Sequence, residues 1–223
     1  MVNQMKVTKE SLKWPQIDAA FRYMIDNNLH LAVRDATKPV TAIFEFGTGK
    51  GNSTKKICDY LKDNDMQHVH VFSFDTFQGL PSDTVEVFEK YVEGAYKVNS
   101  EDPVGDVYEL ADYDNLHVFK CKFNEVHKLL DTSCIGTTLL VHVDADLYTS
   151  TKEALTFLVN ANLLQPGTLI AYDEFTVGDF VSEEMAHYEV IRYPGFDDRE
   201  VYRSIYFDKD TDVEITQSVW EIL

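Results

Sequence analysis

The apolar run Val40–Phe46 ends directly in Gly47-Thr48-Gly49-Lys50-Gly51, and Asn52-Ser53-Thr54 then opens a stretch carrying Ile57, Cys58 and Leu61. A short apolar run reads as a buried strand, the glycines as a tight turn, and Asn-Ser-Thr as a helix start. The pattern recurs along the chain. Strands are expected at 69–74, 116–120, 137–143 and 168–172, the last after the Pro166-Gly167 turn. Helices are expected at 16–34, at 82–92 with Val85, Phe88, Tyr91 and Val92 on one side, at 126–130, and from Ser150, where Ser150-x-x-Glu153 forms a capping box. Residues 95–115 read as irregular, with a helical turn or two around 107–110. Strands alternating with helices give an α/β class fold with a mostly parallel, doubly wound, Rossmann-like sheet. Strand candidates at 201–207 and 213–220 then add an antiparallel hairpin at its edge.

The 223 residues suffice for one domain with a full core. That domain reads as an N-terminal helical extension (1–39), a ligand-binding core (40–175) and a C-terminal segment (176–223) with the hairpin. A formal net charge of −18 argues against a nucleic-acid partner, which needs a dense basic face, and against an anionic membrane surface. Residues 173–223 hold 14 acidic against 4 basic side chains, so most of the excess lies in the tail. Cys58, Cys121 and Cys134 form no even-numbered framework and no C-x-x-C pair, and 1–10 is too polar for a signal peptide. A reducing, cytoplasmic location is expected. The N-terminal helix offers a contact for a homo-oligomer.

In an open parallel sheet, ligands bind beyond the carboxyl ends of the strands. Glu45, Asp75, Asp144 and Asp173 fall at or beside four of the five expected parallel strand ends. Glycines at 47, 49 and 51 let a ligand approach the backbone, with Asn52 where a dinucleotide fingerprint wants a third glycine. Glu45 suits an ammonium group better than a pyrophosphate. Asp75, 24 residues after Gly51, is placed to accept ribose hydroxyls. A nucleoside with an amino-acid tail, S-adenosylmethionine, meets both requirements, whereas NAD meets only the second.

Asp144 and Asp173 lie 29 residues apart, one strand–helix–strand unit, so on neighbouring strands they emerge about 5 Å apart. With Glu174 they form an acidic group that a hard cation such as Mg²⁺ would relieve. The alternative is that Asp144 and Asp146 cap the following helix and that Glu174 is solvated.

Four blocks in order, 44–51 (FEFGTGKG), 75–81 (DTFQGLP), 142–151 (HVDADLYTST) and 166–175 (PGTLIAYDEF), resemble the macrocin O-methyltransferase family. These are class I S-adenosylmethionine-dependent enzymes that methylate hydroxyls with Mg²⁺. The resemblance implies a seven-stranded sheet of order 3-2-1-4-5-7-6. It implies Glu45, Gly47, Thr48, Gly49, Gly51 and Ser53 near the methionine moiety, Asp75 and Thr76 at the ribose, and Phe123 at the adenine. Asp144 then stands between cofactor and acceptor, and the metal ligands are Asp144, Asp173 and Glu174. The chain departs from the family in Asp173-Glu174, where Asp-Asp is usual, and in Cys121, where Gly is common and a side chain would crowd the adenine.

The expected reaction moves a methyl group from the sulfonium to a hydroxyl of a small molecule such as a sugar. Asp144 is the expected general base and the metal the activator of the acceptor. His142 reads as structural. His187 is a second candidate for the acceptor wall, though a surface histidine by default. Two other functions stay open at this point: a catalytically silent S-adenosylmethionine-binding protein, and an NAD-dependent oxidoreductase.

Overall fold

The computed structural model describes residues 13–31, 35–82, 91–177, 182–191, 202–209 and 215–223. Its elements in chain order are α1 (Pro15–Asp26), β1 (Val40–Phe46), α2 (Asn52–Asp63), β2 (His70–Asp75), α3 (Pro103–Ala111), β3 (Leu116–Lys120), α4 (Val126–Leu129), β4 (Ile135–Val143), α5 (Tyr148–Asn160), β5 (Leu169–Val177), α6 (Ser182–Ile191), β6 (Tyr202–Lys209) and β7 (Ile215–Ile222). One seven-stranded sheet has the order β3-β2-β1-β4-β5-β7-β6. β1 to β5 pair in parallel, while β7 runs antiparallel to both β5 and β6. The order reverses direction between β1 and β4, which is where a ligand crevice opens in such sheets.

Alternation along each strand sorts residues into two layers. Phe44, Phe46, Phe72, Phe74, Val141, Val143 and Tyr172 pack under α4, α5 and α6. Ile43, Val71, Leu140, Leu169 and Ala171 pack under α1, α2 and α3. Glu45, Ser73 and His142 fall in register side by side across β2, β1 and β4, on the second of these faces.

Four expectations need correction. The N-terminal helix stops at Asp26 rather than 34, because Asn27 closes onto Tyr23 O and Asn28 turns left-handed at φ 55°. The expected helix at 82–92 lies mostly outside the described residues, and Tyr91 and Val92 are not helical. The stretch read as irregular contains a true helix, α3, whose N-cap Asp102 accepts from Gly105 N. At α5, Leu147 occupies the N-cap, so Ser150 and Glu153 lie inside the helix and Glu153 binds Asn124 instead. The helix α6 was not foreseen.

Candidate active site

The glycine loop closes over the ends of β1 and β4, and its glycines have different tasks. Gly47, at φ 101°, donates to Phe74 O, while Asp144 N donates to Phe46 O at 2.8 Å. A Cβ on Gly47 would lie 1.8 Å from the Asp144 carbonyl oxygen. Gly47 therefore lets β1 and β4 meet backbone to backbone and fixes where Asp144 emerges. Gly51 packs on Val107 of α3. Only Gly49, with nothing within 4 Å of its Cβ direction, turns an open side outward. A cavity of about 300 Å³ lies there, bounded also by Lys50, Lys97, Asn99 and Ser100.

Asp75 is gripped by this loop. Its Oδ2 accepts from Gly49 N at 2.8 Å and its Oδ1 from Phe77 N at 2.6 Å. Burial outweighs these bonds and raises its pKa. Thr76 caps the turn by accepting from Gln78 N. Phe123 stands edge-on to Phe46 at 5.3 Å between centroids. Cys121 joins the aromatic layer, and burial lifts its thiol to about 11.

Glu45 is not open to a ligand's ammonium group in this conformation: it is fully buried beneath the loop. Its Oε2 accepts from Thr54 Oγ1 at 2.5 Å and from Ser73 Oγ at 2.6 Å, and Ser73 also meets Thr48 Oγ1. Ser53 is buried at the first turn of α2.

β4 and β5 are parallel neighbours, and Asp144 and Asp173 each follow the last paired residues, Val143 and Tyr172. Burial, and then the charges of Asp173, Asp146, Glu183 and Glu45, push the Asp144 carboxyl well above the usual range. Asp173 Oδ1 accepts from Gln16 Nε2 at 2.6 Å and from Gln217 Nε2 at 3.0 Å. Glu174 does not join them. As the next residue on the strand it projects to the other face, where its carboxylate accepts from Tyr91 OH. Among the described residues, no three His, Cys, Asp or Glu side chains group as a metal site. The expected triad is thus reduced to a pair, Asp144 and Asp173. Two carboxylates still fit Mg²⁺, which keeps several waters and commonly takes one or two carboxylates.

Three groups escaped the sequence reading. Glu183 of α6, buried, accepts from Ala145 N with one oxygen and from Glu174 N with the other, each at 3.2 Å. It ties the Asp144-Ala145-Asp146 turn to β5, and burial raises its pKa well above the carboxylate range. Tyr96, 58% exposed at φ 61°, has its pKa raised by partial burial and then by the charges of Asp146 and Asp144. Gln16 comes from α1, outside every recognisable motif. His187 is not on the surface: it is fully buried, 2.8 Å from Tyr172 OH, and desolvation lowers its pKa to about 3.

No curated protein matches the sequence. Among solved structures, the chain resembles the calicheamicin methyltransferase CalS11, with 18% identity, TM-score 0.68, and 96% of this chain covering 80% of that one. A second, apo structure of CalS11, described as a TDP-rhamnose 3′-O-methyltransferase, aligns at TM-score 0.56 and 18% identity over 96% of this chain and 81% of that one. The O-methyltransferase NovP aligns at TM-score 0.61 and 18% identity, over 95% of this chain and 80% of that one. Residues 44–175, more than half of the chain, match the methyltransferase domain family. The chain belongs to that family and is an S-adenosylmethionine-dependent methyltransferase.

Proposed function

We propose that the protein transfers the methyl group to a hydroxyl oxygen of a small molecule, a sugar or sugar-bearing natural product. The carrying observation is the placement of Asp144. Gly47 fixes where it leaves β4, and burial together with the neighbouring Asp173, Asp146, Glu183 and Glu45 raises its affinity for a proton. S-adenosylmethionine supplies the electrophilic methyl group. The open side of Gly49 and the Asp75 carboxylate would hold it, with Thr76 at the same turn and Phe123 on the adenine side. Glu45, Thr48 and Ser53 act from beneath, keeping the loop in place rather than touching the ligand. Asp144 takes the hydroxyl proton as the oxygen attacks the methyl carbon, and the sulfur leaves with the bonding pair. Asp144 and Asp173 would supply two oxygen ligands to a divalent cation, whose chemistry there is to acidify a bound hydroxyl. Glu174 is not in this set.

The sugar class draws support from the TDP-rhamnose activity named for CalS11 and from Tyr96, a half-exposed aromatic ring close to Asp144. A nucleic-acid or membrane partner is disfavoured by the net charge of −18. The engagement of Glu174 by Tyr91 supports a second reading, binding of the cofactor without transfer.

The deciding assay incubates the protein with methyl-labelled S-adenosylmethionine and a panel of nucleotide sugars and glycosides. Label in a new methyl ether, together with S-adenosylhomocysteine, is the expected result. Tight cofactor binding with no product from any hydroxylated acceptor would leave the silent binder as the answer.

A further inference from the structure

Helix α1 precedes the residues matched to the methyltransferase domain, yet it delivers a fully buried glutamine to the strand ends. Gln16 Nε2 lies 2.6 Å from Asp173 Oδ1 and 3.4 Å from His142 Nε2. On its other side, His142 Nδ1 lies 3.4 Å from Glu45 Oε1, and neither of these two atoms has another hydrogen-bond partner. Gln16, His142 and Glu45 all have 0% exposure, so bulk solvent does not reach them. The groups therefore have to satisfy one another.

The chemistry of the groups allows one consistent placement of protons. A carboxylate only accepts, so the Gln16 atom facing Asp173 is the amide nitrogen. Its second N–H faces His142 Nε2, which must then be unprotonated. The ring proton therefore sits on Nδ1 and points to Glu45, which again accepts. The opposite tautomer sets two N–H groups against each other and leaves Glu45 Oε1 facing a lone pair, a costly arrangement in a buried site. We infer that Gln16 is a positioning residue of the transfer site: it holds Asp173 in place together with Gln217 and fixes His142 as the Nδ1–H tautomer, so that Glu45 beneath the glycine loop and Asp173 beside Asp144 move as one unit. This rests on the reading of the Asp144–Asp173 end as the site of methyl transfer.

The test uses the full chain labelled with ¹⁵N-histidine, with the His142 ring assigned by comparison with His142→Phe. At a pH where the ring is neutral, wild-type protein shows a single Nδ1–H tautomer at His142, and Gln16→Leu shows a mixture. In the methyl-transfer assay, Gln16→Leu lowers kcat by roughly tenfold or more, while KM for S-adenosylmethionine stays within about twofold. Gln16→Glu, which sets a second carboxylate against Asp173, lowers kcat further. An Nε2–H tautomer in the wild type overturns the inference even if the variants fail to fold. A folded Gln16→Leu with an unchanged ring spectrum and kcat overturns it as well. If the tautomer behaves as described but no acceptor is methylated by the wild type, the linkage through Gln16 stands and the transfer reading falls.

Discussion

On β1, Phe44 and Phe46 enter one layer while Ile43 and Glu45 enter the other, and the two layers are built from different chemistry. Under α4 to α6, Phe44, Phe72, Phe74 and Phe157 form an aromatic layer with centroids 5.5 to 6.5 Å from Phe44. Under α1 to α3, the same strands carry Glu45, Ser73, His142 and Asp173, each answered by a side chain from a different element. The aromatic layer gains stability from area and close packing, which tolerate small shifts poorly but carry no charge. The polar layer gains position: Glu45, Ser73 and Asp173 are each held by hydrogen bonds with side chains of other elements. A two-residue period thus lets one set of strands hold a rigid core and a site back to back.

Removing the carboxylate charge at the site breaks the comparison most sharply. Asp144→Asn keeps the shape and the backbone bond to Phe46, so the fold and S-adenosylhomocysteine affinity should hold. Methyl transfer should fall by about 10² to 10⁴-fold, the usual contribution of a positioned base. Calorimetry beside single-turnover kinetics separates the two effects. An equal loss of binding and rate would mean that Asp144 serves the cofactor rather than the acceptor.

The aromatic layer should fail the opposite way. Phe44→Ala opens a cavity at the centre of the ring stack and should cost about 3–5 kcal/mol in urea unfolding. The folded fraction should keep a kcat within about twofold of wild type, because the rings that meet Phe44 are Phe72, Phe74 and Phe157, none of them placed at the ligand. A large kcat loss at unchanged stability would show that the two layers are coupled.

Much of this division was legible in the sequence. The strand β1 and its glycine loop, the acidic residues at strand ends, and the order of the sheet follow from short apolar runs, turn residues and the motif blocks. What was not legible depends on which way a side chain points or which distant element arrives. Asp173 and Glu174 are adjacent in sequence, and strand alternation alone separates them. Glu45 looked like a ligand contact because it precedes the loop, yet the hydroxyls of Thr54 and Ser73 cover it. Gln16 is 157 residues from Asp173 and Glu183 is 38 from Ala145. No local spacing encodes such meetings, because they are products of the crossovers.

His187 tests the packed face by pH. Its folded pKa of about 3 lies below the ordinary 6.5, so between those values the unfolded chain binds the proton that the folded chain excludes. The contribution is fully present above pH 6.5 and is lost as pH falls toward 3. Denaturation of wild type and His187→Phe across that window should show their stability difference shrinking by about 1.4 kcal/mol per pH unit at most. A difference independent of pH would mean that the ring takes up its proton as readily in the folded protein as in the unfolded chain.

The smallest effect belongs to the glycine that faces open space. An alanine at 49 meets no atom within 4 Å, so no neighbour has to move, and the left-handed φ of 51° is the main source of strain. That strain is about 1 kcal/mol for an ordinary residue, and a thermal melt should register little more. The added methyl group, however, stands on the side where the cofactor is proposed to approach. Gly49→Ala should therefore weaken S-adenosylhomocysteine binding out of proportion to its effect on stability. The same substitution at Gly47 would meet the Asp144 carbonyl and disturb the backbone itself. Equal binding by wild type and Gly49→Ala would move the cofactor off this side of the loop, and with it the division of labour among the glycines.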